Sequence, residues 1–269
     1  MEQAALPRVI GVCIPLSPIE ITMGRPPVLF IHGAFSNGGH FAPWVDRFSR
    51  AGFDCHAPSL PGHGPSDDRA LATVTIADYL AALEREVAKL SELPILVGHS
   101  MGGLLAQQLA ARRRCRALVC VASAPPWMLP AQPRALPYFL PMLPAILAGR
   151  PVHPPEATLR ALVLHHLPED EQRALLPTFG AESGQAYRAM IFGTAPLPGP
   201  PFRGPVLCLS GRDDRVIPNR TSAAIAKLHG ARHEIFTQGH WLIAASLAEQ
   251  VAGAALRWLD DSLDRAQAA

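Results

Sequence analysis

Lysine is nearly missing from this 269-residue chain: Lys89 and Lys227 are the only two. The other basic residues are arginines, and Lys+Arg 24 against Asp+Glu 22 leaves a formal net charge of only +2. That balance is too even for the basic footprint that marks a nucleic-acid binder, so no nucleic-acid partner is expected. Charged residues are few, 17%, against 49% hydrophobic, which excludes a disordered chain. Cysteine is scarce too. Cys13, Cys55, Cys115, Cys120 and Cys208 are odd in number, widely spaced and free of any C-x-x-C pair, which excludes a disulfide scaffold and a zinc site. They are expected as free thiols buried in strands, and no metal ligand set is read. Also lacking is an uncharged apolar run of the ~18–20 residues that span a bilayer. The nearest candidate, 135–149, is too short and is interrupted by Pro137, Pro141 and Pro144. The first residues carry an early Glu2 and neither a basic start nor a long apolar core, so no secretory signal is read. The expectation is a soluble cytoplasmic protein.

Apolar runs are what the chain does have. The runs 27–33, 95–100, 116–123, 205–211 and 231–237 are compact and rich in β-branched or long aliphatic residues. Between them, 76–91 places Ile76, Leu80, Leu83, Val87 and Leu90 on one helical stripe. The stretches 102–113, 219–229 and 241–259 also read as helices. Such alternation, with strands apolar throughout, predicts a mostly parallel sheet with helices on both faces. The rhythm breaks at 125–203, which holds more than half of the 28 prolines and no clear strand. Proline lacks the amide donor, so this stretch cannot be sheet interior. Short helices are expected at 156–167, 169–176 and 182–192. The segment is read as an inserted helical cap (125–203) on a core formed by 1–124 and 204–269. The tail after Leu263 is expected to fray.

Four motifs carry chemistry. Gly98-His99-Ser100-Met101-Gly102-Gly103 follows an apolar run and opens an Ala/Leu helix. This is G-x-S-x-G in the strand–turn–helix context that exposes a nucleophilic serine. His32-Gly33-Ala34-Phe35 ends the run 27–31. The loop 57–67 reads Ala-Pro-Ser-Leu-Pro-Gly-His-Gly-Pro-Ser-Asp, and Gly211-Arg212-Asp213-Asp214-Arg215-Val216-Ile217-Pro218 follows the first strand after the proline-rich segment.

On these residues the chain resembles the α/β-hydrolase superfamily, on its small, capped serine esterase branch. The likeness spans nearly the whole chain apart from the first ~15 residues and the cap. Its fold implies a chain order of serine, then Asp or Glu, then His. Asp214 fits the acid by the register of the G-x-x-D-x-V-x-P loop, with Asp213 as its neighbouring alternative. His240, in Gln238-Gly239-His240-Trp241 after the last strand, fits the base. The HG-x turn implies that the Ala34 amide joins that of Met101 as the oxyanion hole, with Phe35 as the alternative donor in a different turn. His32 and His63 are read as turn-stabilising residues and His99 as packing beneath the nucleophile. One departure is Ser59, which stands where the family commonly has Asp; it touches loop structure rather than catalysis.

The resemblance implies attack by Ser100 on an ester carbonyl with no metal or organic cofactor. Apolar residues of the cap and its surroundings are expected to line the substrate pocket: Phe35, Trp127, Met128, Tyr138, Phe139, Phe192 and Trp241. The partner is then a small to medium apolar ester. Fold does not fix substrate, so other readings stay open: the same triad on a thioester, a lactone or a C–C bond, a hydroxynitrile-lyase-like reaction, or noncatalytic ligand binding. The lyase reading expects a cap lysine, and 125–203 has none. The oligomeric state stays open between monomer and dimer.

Overall fold

The computed structural model describes residues 25–64, 71–112, 114–130 and 132–267. Cys13, the N-terminal residues read for a signal, the Pro65-Ser66-Asp67 end of the 57–67 loop and the last two residues lie outside them. The chain starts with β1 (Val28–Ile31), α1 (Ala42–Arg50), β2 (Cys55–His56), α2 (Ile76–Lys89), β3 (Ile95–His99), α3 (Met101–Ala111) and β4 (Ala117–Val121). After a long excursion come β5 (Val206–Gly211), α9 (Asn219–His229), β6 (Arg232–Phe236) and α10 (Ala248–Gln267). The six strands form one sheet in the order β2-β1-β3-β4-β5-β6, every pair parallel.

In the inner strands β1, β3, β4 and β5 side chains alternate between two faces, and both are buried; the edge strands β2 and β6 are partly exposed. Val28, Phe30, Val97, Val119 and Leu209 pack against Trp44 and Phe48 of α1 and Val251 and Leu259 of α10. Leu29, Ile31, Leu96, Leu118 and Cys208 face Leu83 of α2, Leu105 of α3 and Ile225 of α9. Burial on both faces explains why the strands read as unbroken apolar runs. Helix α2 starts where Thr75 and Asp78 cap each other reciprocally. Its stripe holds, except that Leu90 is the extended residue after the helix.

The excursion between β4 and β5 adds no strand to the sheet. It holds α4 (Leu136–Phe139), α5 (Leu143–Leu147), α6 (Glu156–Thr158) running into a π-helical turn Leu159–Val163, α7 (Glu169–Leu175) and α8 (Gly184–Ile191). Its extended element is a single bridge pairing Val152 with Glu182. Of the prolines that break the run 135–149, Pro137 and Pro144 sit in the first turns of α4 and α5 and Pro141 in the first turn of the 3-10 piece Leu140–Met142 between them, where a missing amide costs nothing. So this run is helical, in pieces shorter than sequence periodicity detects.

Three expectations change. The helix read at 241–259 begins only at Ala248. Trp241, Leu242, Ile243 and Ala244 are all buried in one core cluster, and four consecutive inward side chains do not fit a helix with a solvent face. The backbone of α10 continues to Gln267 rather than fraying after Leu263. Strand β2 was not expected, being two residues long at the sheet edge. Cys55, Cys115, Cys120 and Cys208 are free thiols, the last three buried. Among the described residues, no helix is long and apolar enough to cross a membrane.

Candidate active site

Three described residues other than glycine have positive φ: Phe35 (64°), Ser100 (54°) and Ala122 (43°). They sit just beyond β1, β3 and β4, which are neighbours in the sheet. Such conformations are costly for side-chain-bearing residues and persist only where the surroundings enforce them. Here the strain lies at the carboxyl ends of the strands, the edge where open α/β sheets bind ligands.

The surroundings of Ser100 show what enforces it. Its amide donates to the Val121 carbonyl at 3.0 Å, and its own carbonyl accepts from Ala124 at 2.9 Å. The turn is thus tied to the end of β4 on both sides. Helix α3 starts at the next residue, and Ser100 is its N-cap without a side-chain cap bond. Its hydroxyl is therefore not used to cap the helix. Gly102 is needed because a Cβ there would collide with the carbonyl oxygens of Ile31 and His32. The helix consequently begins against the backbone of β1, and the Met101 amide is among those without an intrahelical acceptor. The Met101 side chain is fully buried and does not line the pocket.

The turn after β1 is held by His32. The Leu60 amide donates to its Nε2 at 2.9 Å, so Nδ1 carries the proton and donates to the Gly33 carbonyl at 2.9 Å. Burial, with His63 nearby, pushes its pKa down to about 3, which keeps this neutral tautomer. His32 thus locks the Gly33-Ala34-Phe35 turn to the 57–64 loop. Ser59, at the family's usual Asp position, accepts from the Gly38 amide at 3.1 Å. His63 donates from Nδ1 to the Pro61 carbonyl of its own loop at 3.1 Å and pairs through Nε2 with buried Glu182 of the excursion at 3.0 Å.

Asp214 is 2% exposed and has partners on both oxygens. Its Oδ1 accepts from the amides of Val216 (2.7 Å) and Ile217 (2.8 Å), and its Oδ2 accepts from His240 Nδ1 at 2.8 Å. Asp213 is exposed, and of the two carboxylates it is Asp214 that pairs with His240. The loops that carry Asp214 and His240 can run this close because Gly211 has no Cβ, which would strike the Gly239 carbonyl. His99 lies beside His240, with ring centroids 5.0 Å apart. Its Nε2 donates to the His240 carbonyl at 3.0 Å. Burial first, and His240 second, hold the His99 pKa well below its ordinary value. It is therefore a neutral support for the base loop.

Ser100 and His240 open onto the same pocket, together with Ala34. Of the residues expected to line it, Phe35, Phe139 and Trp241 do so. Trp127, Met128, Tyr138 and Phe192 do not. Met128 is 63% exposed, Trp127 packs against the core beneath, Tyr138 is half-buried with its carbonyl bonded to Thr158, and Phe192 lines a neighbouring groove. In their place stand Leu159, Leu162, Phe179, Tyr187 and Met190 from the excursion and Val216 from the acid loop. Their signal was weak, because helices of three to eight residues carry too few turns to show which face turns inward. The excursion is also pinned to the acid loop: Arg134 donates to the Asp214 carbonyl (3.1 Å), and Arg215 to the Ala161 carbonyl (2.8 Å).

A strained strand-to-helix serine turn, a carboxylate–imidazole pair and the parallel sheet that joins them make up an α/β-hydrolase architecture. The chain belongs to the alpha/beta hydrolase family, whose model matches residues 28–254. It is 28% identical over 203 residues to a pyrethroid hydrolase of Sphingobium wenxiniae, covering 71% of this chain and 72% of that protein. It is also 28% identical over 256 residues to a pimeloyl-[acyl-carrier protein] methyl ester esterase of Stenotrophomonas maltophilia, covering 88% and 93%. A solved methylesterase from Arabidopsis superposes with a TM-score of 0.68 over 88% of this chain and 99% of its own, at 13% identity, a likeness of fold.

Proposed function

We propose that this chain is a serine hydrolase that cleaves carboxylic esters, with Ser100 as nucleophile, His240 as general base and Asp214 as the carboxylate that orients it. The observation that carries the reading is a convergence: Ser100 on its strained turn opens onto the same pocket as a buried His240–Asp214 pair. A free serine is a weak nucleophile at neutral pH and needs an adjacent base. His240 Nε2 takes the Ser100 proton as Oγ attacks the ester carbonyl carbon. Asp214 holds Nδ1–H and stabilises the imidazolium. The amides of Ala34 and Met101 hold the oxyanion, a role worth about 10²–10³ in rate per donor in a known protease. Collapse breaks the bond to the alcohol, which leaves with the proton from His240. Water then attacks the acyl-enzyme, giving up its proton to His240, which passes it to Ser100 Oγ as the bond to the acyl carbon breaks and the carboxylic acid departs.

The segment 125–203 is the cap of this enzyme, and the described residues before and after it are its core. The apolar side chains that the cap supplies to the pocket suit an apolar acyl or alcohol group. The names of the two relatives, a hydrolase and a methyl ester esterase, support an ester as the bond cleaved. The test is hydrolysis of p-nitrophenyl acetate and butyrate by the wild type and by Ser100→Ala. Turnover by the wild type that falls by more than about 10³-fold in the variant supports the reading. A folded wild type that leaves both esters intact overturns it.

A further inference from the structure

The pocket in front of Ser100 is small, about 50 Å³. Pockets that enclose a drug-sized ligand run to about 300–1,000 Å³. The space suffices for a reacting ester group and a few carbons. A second cavity of about 210 Å³ lies next to it, and the two share Leu129, Phe139 and Val216 as walls. It is a groove between the α4–α5 run and the end of α8, lined by Leu136, Leu140 and Leu143 on one side and Ile191 and Phe192 on the other. Among the described residues, its one polar lining side chain is Gln132, and no charged residue lines it.

The groove also accounts for a surface anomaly. Leu136 (49%), Leu140 (61%), Leu143 (38%) and Phe192 (46%) are all exposed. Scattered apolar side chains in water need no explanation, but a cluster does. Spacings of four and three residues put the three leucines on one side of the helical run, while Met142 is buried on another. All four exposed residues belong to the groove that adjoins the pocket of Ser100.

We infer that this groove is a second subsite, which holds the apolar tail of a medium- to long-chain ester. The inference rests on the ester-hydrolase reading above. The ester group sits at Ser100, and the tail passes between Leu129, Phe139 and Val216 to lie along α4–α5. Adjacency to the catalytic pocket, with Leu129, Phe139 and Val216 as shared walls, favours this occupant. The lack of a lining cation disfavours an anionic lipid surface, whose attraction relies on basic residues. The small pocket then sets what is tolerated near the reacting carbon, and the groove sets the preferred chain length.

The test compares kcat/KM for p-nitrophenyl acetate and p-nitrophenyl decanoate in the wild type and in a Leu140→Glu/Leu143→Glu variant. Both positions are exposed, and a thermal melt checks that the fold is kept. The decanoate-to-acetate ratio is expected to fall at least about tenfold, the worth of about two buried methylenes. An unchanged ratio overturns the inference. If the same substitutions instead alter the oligomeric state on a sizing column, the groove covers a second copy; if they alter binding to phosphatidylcholine vesicles, it meets a lipid surface. Should the wild type cleave no ester, the hydrolase reading fails separately, and calorimetry with decanoic acid decides the groove. Binding by the wild type that the variant loses supports the subsite, and no binding by the wild type overturns it.

Discussion

The carboxyl edge of the sheet and the excursion between β4 and β5 face each other across one pocket, and they are built on opposite principles. At the sheet edge the backbone does the positioning. Ser100 and Phe35 are held at positive φ, Gly102 and Gly211 leave no room for a Cβ, and Asp214 has partners on both carboxylate oxygens. In the excursion, side chains do most of it. Short helical pieces offer apolar groups to the pocket, and several large ones remain in water. On the proposed function, the contrast separates chemistry from selectivity. A proton-transfer chain needs placement within fractions of an ångström, which strained and buried backbone supplies. Selecting an apolar group needs only volume and surface, which side chains can vary without disturbing the reaction.

Substitutions at the sheet edge should therefore cost most. Asp214→Asn keeps the shape but removes the charge that stabilises the imidazolium. The expected loss in kcat is about 10²–10⁴-fold, with a far smaller change in KM, as measured on p-nitrophenyl butyrate. A loss of only a few-fold would mean that His240 does not depend on Asp214. Gly102→Ala forces a methyl group into the β1 carbonyls. Urea unfolding should show a loss of about 3 kcal/mol or more. Leu147→Ser, on the exposed side of α5 at 53% exposure, should stay within about 0.5 kcal/mol. Equal losses at these two sites would erase the contrast.

Acid should weaken both regions in the same pH window. Burial pushes His32 down to about 3 and His40 to about 4 at the sheet edge, and His166 to about 4 in the excursion. In the unfolded chain each takes up a proton near pH 6.5. Between those values the unfolded state binds more protons, so stability rises with pH. The contribution is fully present above about pH 6.5 and is lost as pH falls towards 4. Melting temperatures recorded from pH 7.5 to 4.5 should decline steadily below pH 6.5. A flat profile would show that these rings are not held neutral.

Much of the sheet edge was legible in the sequence because backbone constraints leave residue-level marks. Gly98 and Gly102 flank Ser100, Gly211 precedes the acid loop and Gly239 precedes His240, each at a fixed offset from a strand end. The pairing of Asp214 rather than Asp213 followed from the same register. The excursion left no such marks. Phe139 was anticipated in the pocket, but its neighbour Tyr138 was too, and only the rotation of a four-residue helix separates them. Leu162, Phe179 and Tyr187 went unnoticed because π-helical, irregular and short helical backbone have no shared period. Trp241 was placed correctly in the pocket while its backbone was misread as helix, since a run of apolar residues fits either state until packing decides.

The most direct test of the account is intact-mass spectrometry after reaction with a fluorophosphonate, which requires an activated serine but no knowledge of the substrate. The account requires a single adduct, mapped to Ser100, absent in Ser100→Ala and much slower to form in Asp214→Asn. A wild-type protein that gains no adduct, or gains one at another residue, would contradict it.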